Sequence, residues 1–102
     1  MPHIKVFPTP RAIRDLNRLR IWLQTKNPLA AQRAGFTLDK ALQGLAHYPE
    51  ANRVYRQNPR FRELIIPFGG DGYIALYEYF PEKSLIHILA VRHQKEDYFD
   101  EI

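Results

Sequence analysis

The sequence predicts an α+β domain with the element order β-α-α-β-β-β, an antiparallel sheet with an N-terminal helical hairpin packed on one face. Three observations carry this. Thr9-Pro10 and Asn27-Pro28 each join a capping side chain to a proline at a first helical position, and apolar residues at helical spacing follow both. Tyr48-Pro49 stops that spacing. From Phe61 onward the chain turns to apolar runs separated by Gly69-Gly70-Asp71-Gly72 and Pro81-Glu82-Lys83-Ser84, the pattern of hairpin-linked strands.

The elements follow in order. His3-Ile4-Lys5-Val6-Phe7 alternates like a short strand and Pro8 closes it. Ala12, Leu16, Leu19 and Leu23 recur at i, i+4, i+7 and i+11, which predicts a helix over residues 10–25. Arg11, Arg14 and Arg18 lie on nearly the opposite side of it, and Trp22 falls beside them. The second helix starts at Asn27-Pro28 and keeps its spacing through Ala31, Ala34, Leu38, Ala41, Leu42 and Leu45 as far as His47. Small residues at 30, 31, 34 and 35 predict close approach to the first helix. Asn52–Arg56 reads as a short edge strand, and Phe61–Phe68 as a stronger one with Pro67 at its end or at a bulge. Tyr73–Phe80 alternates only partly and reads as a central strand, with Tyr73, Tyr77 and Tyr79 on one face as core or half-buried residues. Leu85–Val91 is the last strand, and the charged stretch 94–102 reads as one helical turn or a frayed end.

With 102 residues, 45% hydrophobic and 25% charged, the chain has the size and composition of one globular domain, residues 1–102. It has no cysteine, which excludes disulfides, zinc–thiolate sites and thiol catalysis. No apolar run is long enough to span a bilayer, and Met1-Pro2-His3-Ile4-Lys5 lacks the apolar core of a signal peptide, so a cytoplasmic location and no membrane partner are expected.

Charge is unevenly distributed. Residues 1–62 hold twelve Lys or Arg against three Asp or Glu, whereas residues 63–102 hold three against eight. Ten of the fifteen cations are arginine, the residue suited to bidentate contact with carboxylate or phosphate. An acidic partner, protein or nucleic acid, is compatible with that half; so is a solvated surface.

Most site chemistry is absent. No phosphate-binding Gly-rich loop precedes a helix, and His3, His47, His87 and His93 are too scattered for a metal site, so neither metal nor cofactor is expected. No nucleophile–base pair emerges from Thr9, Thr37 or Ser84. One cluster holds acid–base tools, Arg92-His93 with Tyr98 close behind, although a histidine at a strand end is more often a surface or capping residue.

From Thr9 to Tyr98 the chain resembles the RelE/ParE superfamily of bacterial type II toxin–antitoxin toxins. The resemblance rests on Ala12-x₃-Leu16-x₂-Leu19-x₂-Trp22-Leu23, on Asn27-Pro28-x₂-Ala31, and on Leu45-x₃-Pro49. It continues through Phe61-Arg62-Glu63-Leu64, Gly72-Tyr73-x₃-Tyr77 and Ile88-Leu89-x-Val91-x-His93-x₄-Tyr98. The order and spacing of these pieces carry the resemblance; no single piece does. It implies a microbial-RNase-like sheet, a bacterial cytoplasmic protein and a cognate antitoxin.

Two activities occur in that superfamily. RelE-like members are ribosome-dependent mRNA endoribonucleases, and they usually carry an arginine directly after the Gly-Tyr of the central strand. Here Gly72-Tyr73 is followed by Ile74, and Arg62 is followed by Glu63-Leu64-Ile65-Ile66-Pro67 rather than by further cations. The Asn-Pro-x-x-Ala helix start and the Phe-Arg-Glu-Leu strand resemble ParE-like members, which poison DNA gyrase. The resemblance therefore implies a ParE-like toxin, not favoured as an enzyme. RelE-like cleavage of ribosome-bound mRNA is the alternative, with Arg62, His93 and Tyr98 as its weak catalytic candidates. A relative that only binds its antitoxin is a third reading. A ParD-like antitoxin with an acidic C-terminal segment is the expected partner, docking on Arg11, Arg14, Arg18 and Trp22.

Overall fold

The computed structural model describes residues 3–96 and Phe99. Its elements are β1 (Lys5–Pro8), α1 (Pro10–Lys26), α2 (Pro28–Gly44), β2 (Arg53–Val54), β3 (Phe61–Phe68), β4 (Asp71–Phe80) and β5 (Leu85–His93). Both helix starts follow the expected capping chemistry. The Ala12 N–H donates to Thr9 Oγ1 at 3.2 Å and the Ala30 N–H to Asn27 Oδ1 at 3.1 Å. Asn27 also closes α1, its own N–H reaching the Leu23 carbonyl at 2.8 Å. One residue thus ends one helix and starts the next. α2 ends three residues before the predicted His47 because its exit tightens to i→i−3 hydrogen bonds from Leu45, Ala46 and His47.

The strands form one sheet in the order β1-β5-β4-β3-β2. The predicted antiparallel sheet is corrected in one respect: β1 runs parallel to β5, with Lys5 opposite Leu85 and Pro8 opposite Ile88, so the sheet is mixed. The cause is topological. Hairpins force β2 to β5 to alternate in direction, but β1 is separated from them by both helices, a connection long enough for a parallel neighbour. The β3–β4 hairpin is tighter than predicted, with only Gly69 and Gly70 between paired Phe68 and Asp71. Gly69 supplies the positive φ, 64°, that this turn needs. Gly72 has φ 156°, and a Cβ there would stand 2.2 Å from the Ile66 carbonyl oxygen.

Helices cover one face of the sheet. Ala12 and Leu19 of α1 and Ala34, Leu38 and Leu42 of α2 pack on Ile66, Tyr73, Ala75, Tyr77, Ile86, Ile88 and Val91. The expected tyrosine face is present: Tyr77 is fully buried, Tyr73 nearly so, and Tyr79 packs partly against the same core. Between the hairpin and the sheet the small residues Ala31, Ala34 and Gly35 leave a cavity of about 220 Å³ with Tyr73 and Ile88 in its lining. The opposite face bears a smaller cluster of Ile74, Leu76, Ala90 and Phe99.

One irregularity decides which side chains face where. Leu76 pairs with Ala90 but Tyr77 pairs with Ile88, so Leu89 is an extra residue in β5. Side chains 86 and 88 face the helices, and beyond the bulge 91 does so instead of 90. The bulge is held by the start of α1: Thr9 donates its N–H to the Ile88 carbonyl at 2.9 Å and its hydroxyl to the same oxygen at 2.8 Å.

Candidate functional site

The arginine row of α1 is assembled around a carboxylate. Asp15 is 6% exposed and sits among the buried residues of α1. Its Oδ2 accepts the Val91 N–H at 3.0 Å, and its two oxygens accept Arg11 Nε at 3.3 and 3.2 Å. Arg18 approaches Asp15 at 3.7 Å and reaches across to Glu96 at 3.4 Å. Arg14 is exposed and makes no ion pair among the described residues. Trp22 is 58% exposed, with the Lys26 ammonium 5.7 Å from its ring centroid. Arg11 and Arg18 are thus tied through Asp15 and Glu96 to the end of β5, while Arg14 and Trp22 stand exposed beside them on α1. Two of the three arginines already hold carboxylates of this chain. Asp15 carried no sequence signal beyond an acid placed near an apolar stripe.

The end of β5 is a tight polar turn. The His93 N–H donates to Glu96 Oε1 at 2.9 Å, and the Lys95 N–H donates to His93 Nδ1 at 3.1 Å. That places the proton of the neutral imidazole on Nε2. The ring stands edge-on to Tyr73, centroids 5.5 Å apart, on the helix side of the sheet. Burial raises the Tyr73 phenol above 10.0. Arg92 points to the other side, where its guanidinium lies 5.1 Å over the Phe99 ring and donates to the carbonyls of His93 and Glu96. The sequence places Arg92 and His93 together beyond the last strand; both belong to β5 and take opposite faces.

The weak catalytic candidates are not brought together. Arg62 pairs with Tyr77 on β4 whereas His93 pairs with Tyr73, four residues away along that strand and on its other side. Strand geometry separates their backbones by on the order of 15 Å. Arg62 is committed to a loop, donating to the Asn52 carbonyl at 2.7 Å. The same loop holds Tyr77, whose hydroxyl donates to the Pro49 carbonyl at 2.8 Å and accepts from Asn52 at 3.2 Å. Burial pushes the Tyr77 phenol up, against the lowering effects of the Asn52 hydrogen bond and nearby Arg62. Tyr98 lies outside the described residues.

Ile74 faces away from the helices, 6% exposed beneath Phe99. The charged groups beside this cluster are two paired carboxylates, Glu63 with Arg53 at 3.1 Å and Glu78 with Arg60 at 2.9 Å, and Arg92, which stands opposite Ile74 on β5. Among the described residues no group of three or more His, Asp or Glu could hold a metal ion, and no helix is long and apolar enough to cross a membrane.

The comparisons with known proteins agree with this architecture. The chain is 38% identical over 86 residues to toxin RelE1 of Caulobacter vibrioides, covering 84% of this chain and 88% of the relative. Toxin RelE3 of the same organism is 38% identical over 87 residues, covering 85% and 90%. Among solved structures, the chromosomal ParDE system of P. aeruginosa superposes with a TM-score of 0.76 over 91% of this chain and 98% of that one, at 16% identity. The RelBE2 toxin–antitoxin complex of Mycobacterium tuberculosis gives 0.62 over 94% and 97%, at 22% identity. Residues 6–98 match the model of the ParE toxin of the type II toxin–antitoxin system parDE, and the chain belongs to that toxin family.

Proposed function

We propose that this toxin acts in the bacterial cytoplasm by poisoning DNA gyrase, without ribonuclease activity of its own. The observation that carries the reading is Ile74. Where ribonuclease-type relatives place a guanidinium, this chain has an apolar side chain buried among Leu76, Ala90 and Phe99. Attack of a 2′-hydroxyl on the adjacent phosphate needs cations aimed at the charge that develops, and losing one such donor costs about 3–4 kcal/mol of transition-state stabilisation. On the same sheet face Glu63 and Glu78 are each engaged with an arginine, and the cation opposite Ile74, Arg92, is committed to the Phe99 ring and to the carbonyls of His93 and Glu96. The separation of Arg62 from His93 points the same way.

A cognate ParD-like antitoxin neutralises the toxin in this reading. Its acidic C-terminal segment lies along α1 and touches Arg11, Arg14, Arg18 and Trp22. The support is the cationic flank with its exposed tryptophan, together with the antitoxin-bearing systems among the structural relatives. RelE-like cleavage of mRNA in the ribosome is the second reading, favoured by the names of the relatives at 38% identity.

Induction of the gene alone, followed by primer extension on translating ribosomes and a gyrase supercoiling assay, separates the two. Growth arrest with inhibited supercoiling and intact mRNA is expected. Codon-specific mRNA cleavage that disappears in His93→Ala would overturn the gyrase reading.

A further inference from the structure

The hairpin carries a second exposed surface. The cavity lining includes Leu16, Arg20 and Leu23 of α1 together with Ala31, Gly35 and Asp39 of α2, which fixes the sides on which the helices face each other. Arg11, Asp15 and Arg18 lie on the far flank of α1. α2 buries Ala31, Ala34, Leu38 and Leu42, so the helical step of about 100° per residue puts Leu29, Arg33, Phe36 and Lys40 on the side pointing away from the core. Phe36 is 74% exposed and Leu29 is 56% exposed. Neither contributes to the core, and no ion pair among the described residues engages Arg33 or Lys40.

The electrostatics of the hairpin are one-sided. From Pro10 to Gly44 the chain holds seven Arg or Lys against two carboxylates, Asp15 and Asp39, and neither of these lies on the stripe of Leu29, Arg33, Phe36 and Lys40. An aromatic ring flanked by arginine and lysine, on a helix fixed from behind by the core, has the composition of a protein-binding anchor. An interfacial membrane helix needs a wide apolar face, whereas Arg33 interrupts this one. Single-stranded nucleic acid needs successive stacking rings, and Phe36 has no aromatic neighbour on its stripe.

We infer that the outer stripe of α2 is a docking surface separate from the antitoxin flank, and that its occupant is the toxin's target protein, at a site with an apolar socket rimmed by carboxylates. Phe36 fills the socket, Leu29 covers its edge, and Arg33 and Lys40 meet the acidic rim. The inference rests on the toxin reading only for the identity of that occupant.

The test uses the full chain, with purified DNA gyrase, 70S ribosomes and phosphatidylglycerol vesicles as probes. Phe36→Glu and Phe36→Tyr are compared with the wild type for binding, thermal melting, affinity for the antitoxin encoded beside it, and growth arrest. Gyrase binding weakened at least tenfold in Phe36→Glu and retained in Phe36→Tyr, with melting and antitoxin affinity unchanged, is the expected result. Gyrase binding indifferent to Phe36→Glu, or absent altogether, overturns the inference. So does Phe36-dependent binding to the vesicles, the ribosome or the antitoxin instead. Full growth arrest by Phe36→Glu removes the docking surface and leaves the toxin reading standing. Phe36-dependent gyrase binding without growth arrest by the wild type does the reverse.

Discussion

Asp15 of α1 and Val91 of β5 are joined by a hydrogen bond of 3.0 Å from the Val91 N–H to Oδ2, just beyond the extra residue Leu89. β1 ends opposite Ile88, so the Val91 N–H has no strand partner on that side of β5, and a carboxylate of the opposing helix takes it. Replacing Asp15 with Ala strands that buried N–H and releases Arg11 and Arg18. A loss of about 2–3 kcal/mol is expected, read as a lower urea midpoint with the m-value unchanged. An unchanged midpoint would show that the carboxylate does not anchor α1.

Gly72 should tolerate no side chain. A Cβ at φ 156° would meet the Ile66 carbonyl oxygen at 2.2 Å, and that atom is backbone in a paired strand. Gly72→Ala is expected to destabilise the domain by about 3 kcal/mol or more, whereas Gly70→Ala, with nothing within 4 Å of its Cβ position, costs much less. Thermal melts of the two variants side by side give the comparison.

Alkaline stability follows from the two buried phenols. Tyr73 and Tyr77 are both raised above 10.0 by burial, so the folded protein keeps their protons after the unfolded chain begins to lose them. Their contribution is complete below about pH 10 and is lost as pH rises through the folded values. Melting temperature should therefore fall above about pH 10, and less steeply in Tyr73→Phe and Tyr77→Phe. Tyr77→Phe also loses the hydrogen bonds to Pro49 and Asn52, which costs about 1 kcal/mol at neutral pH.

If the antitoxin docks on the arginine flank, rim charges act mainly on encounter. Arg14→Glu combined with Arg18→Glu is expected to slow association on the order of tenfold at low salt, an effect that rising salt diminishes. Thermal melting checks the fold of the double variant, since Arg18 also holds Asp15 and Glu96. Unchanged association kinetics would move the antitoxin to another face.

The gyrase reading assigns no chemistry to His93 or Arg62. His93→Ala and Arg62→Ala should both arrest growth like the wild type, with any loss traceable to stability. A hundredfold loss of toxicity in a fully folded His93→Ala variant would restore the ribonuclease reading.

The helices were legible because their stop and start chemistry is local: Thr9-Pro10 and Asn27-Pro28 announce themselves whatever surrounds them. The spacing of Tyr73, Tyr77 and Tyr79 puts them on one face as core or half-buried residues, and Tyr73 and Tyr77 take the core side of that choice. What alternation could not show is Leu89. Read without a bulge, Ile86, Ile88 and Ala90 share one face and His93 falls on the other, beside Ile74. The extra residue turns His93 toward the helices and Arg92 toward Phe99. The direction of β1 was equally hidden, since it depends on which sheet edge the strand joins. The arginine row was found by spacing, but its pairing with Asp15 and Glu96 depends on contacts between residues up to 78 positions apart. Phe36 and Leu29 carry no sequence signal of their own, because a helix with enough buried alanine and leucine still reads as amphipathic when its outer side carries apolar residues.

The parallel pairing of Lys5–Pro8 with Leu85–Ile88 has a consequence for biosynthesis. β1, Thr9 and Asp15 are made before both helices are complete, yet their partners lie in β5, which follows every other described strand. Closing so long a loop offers no early reward, and α1 has its anchors at Ile88 and Val91. A nascent chain halted before β5 has neither the edge of its sheet nor the seat of its first helix. A message that breaks off before β5 therefore yields a polypeptide without a folded toxin domain in it.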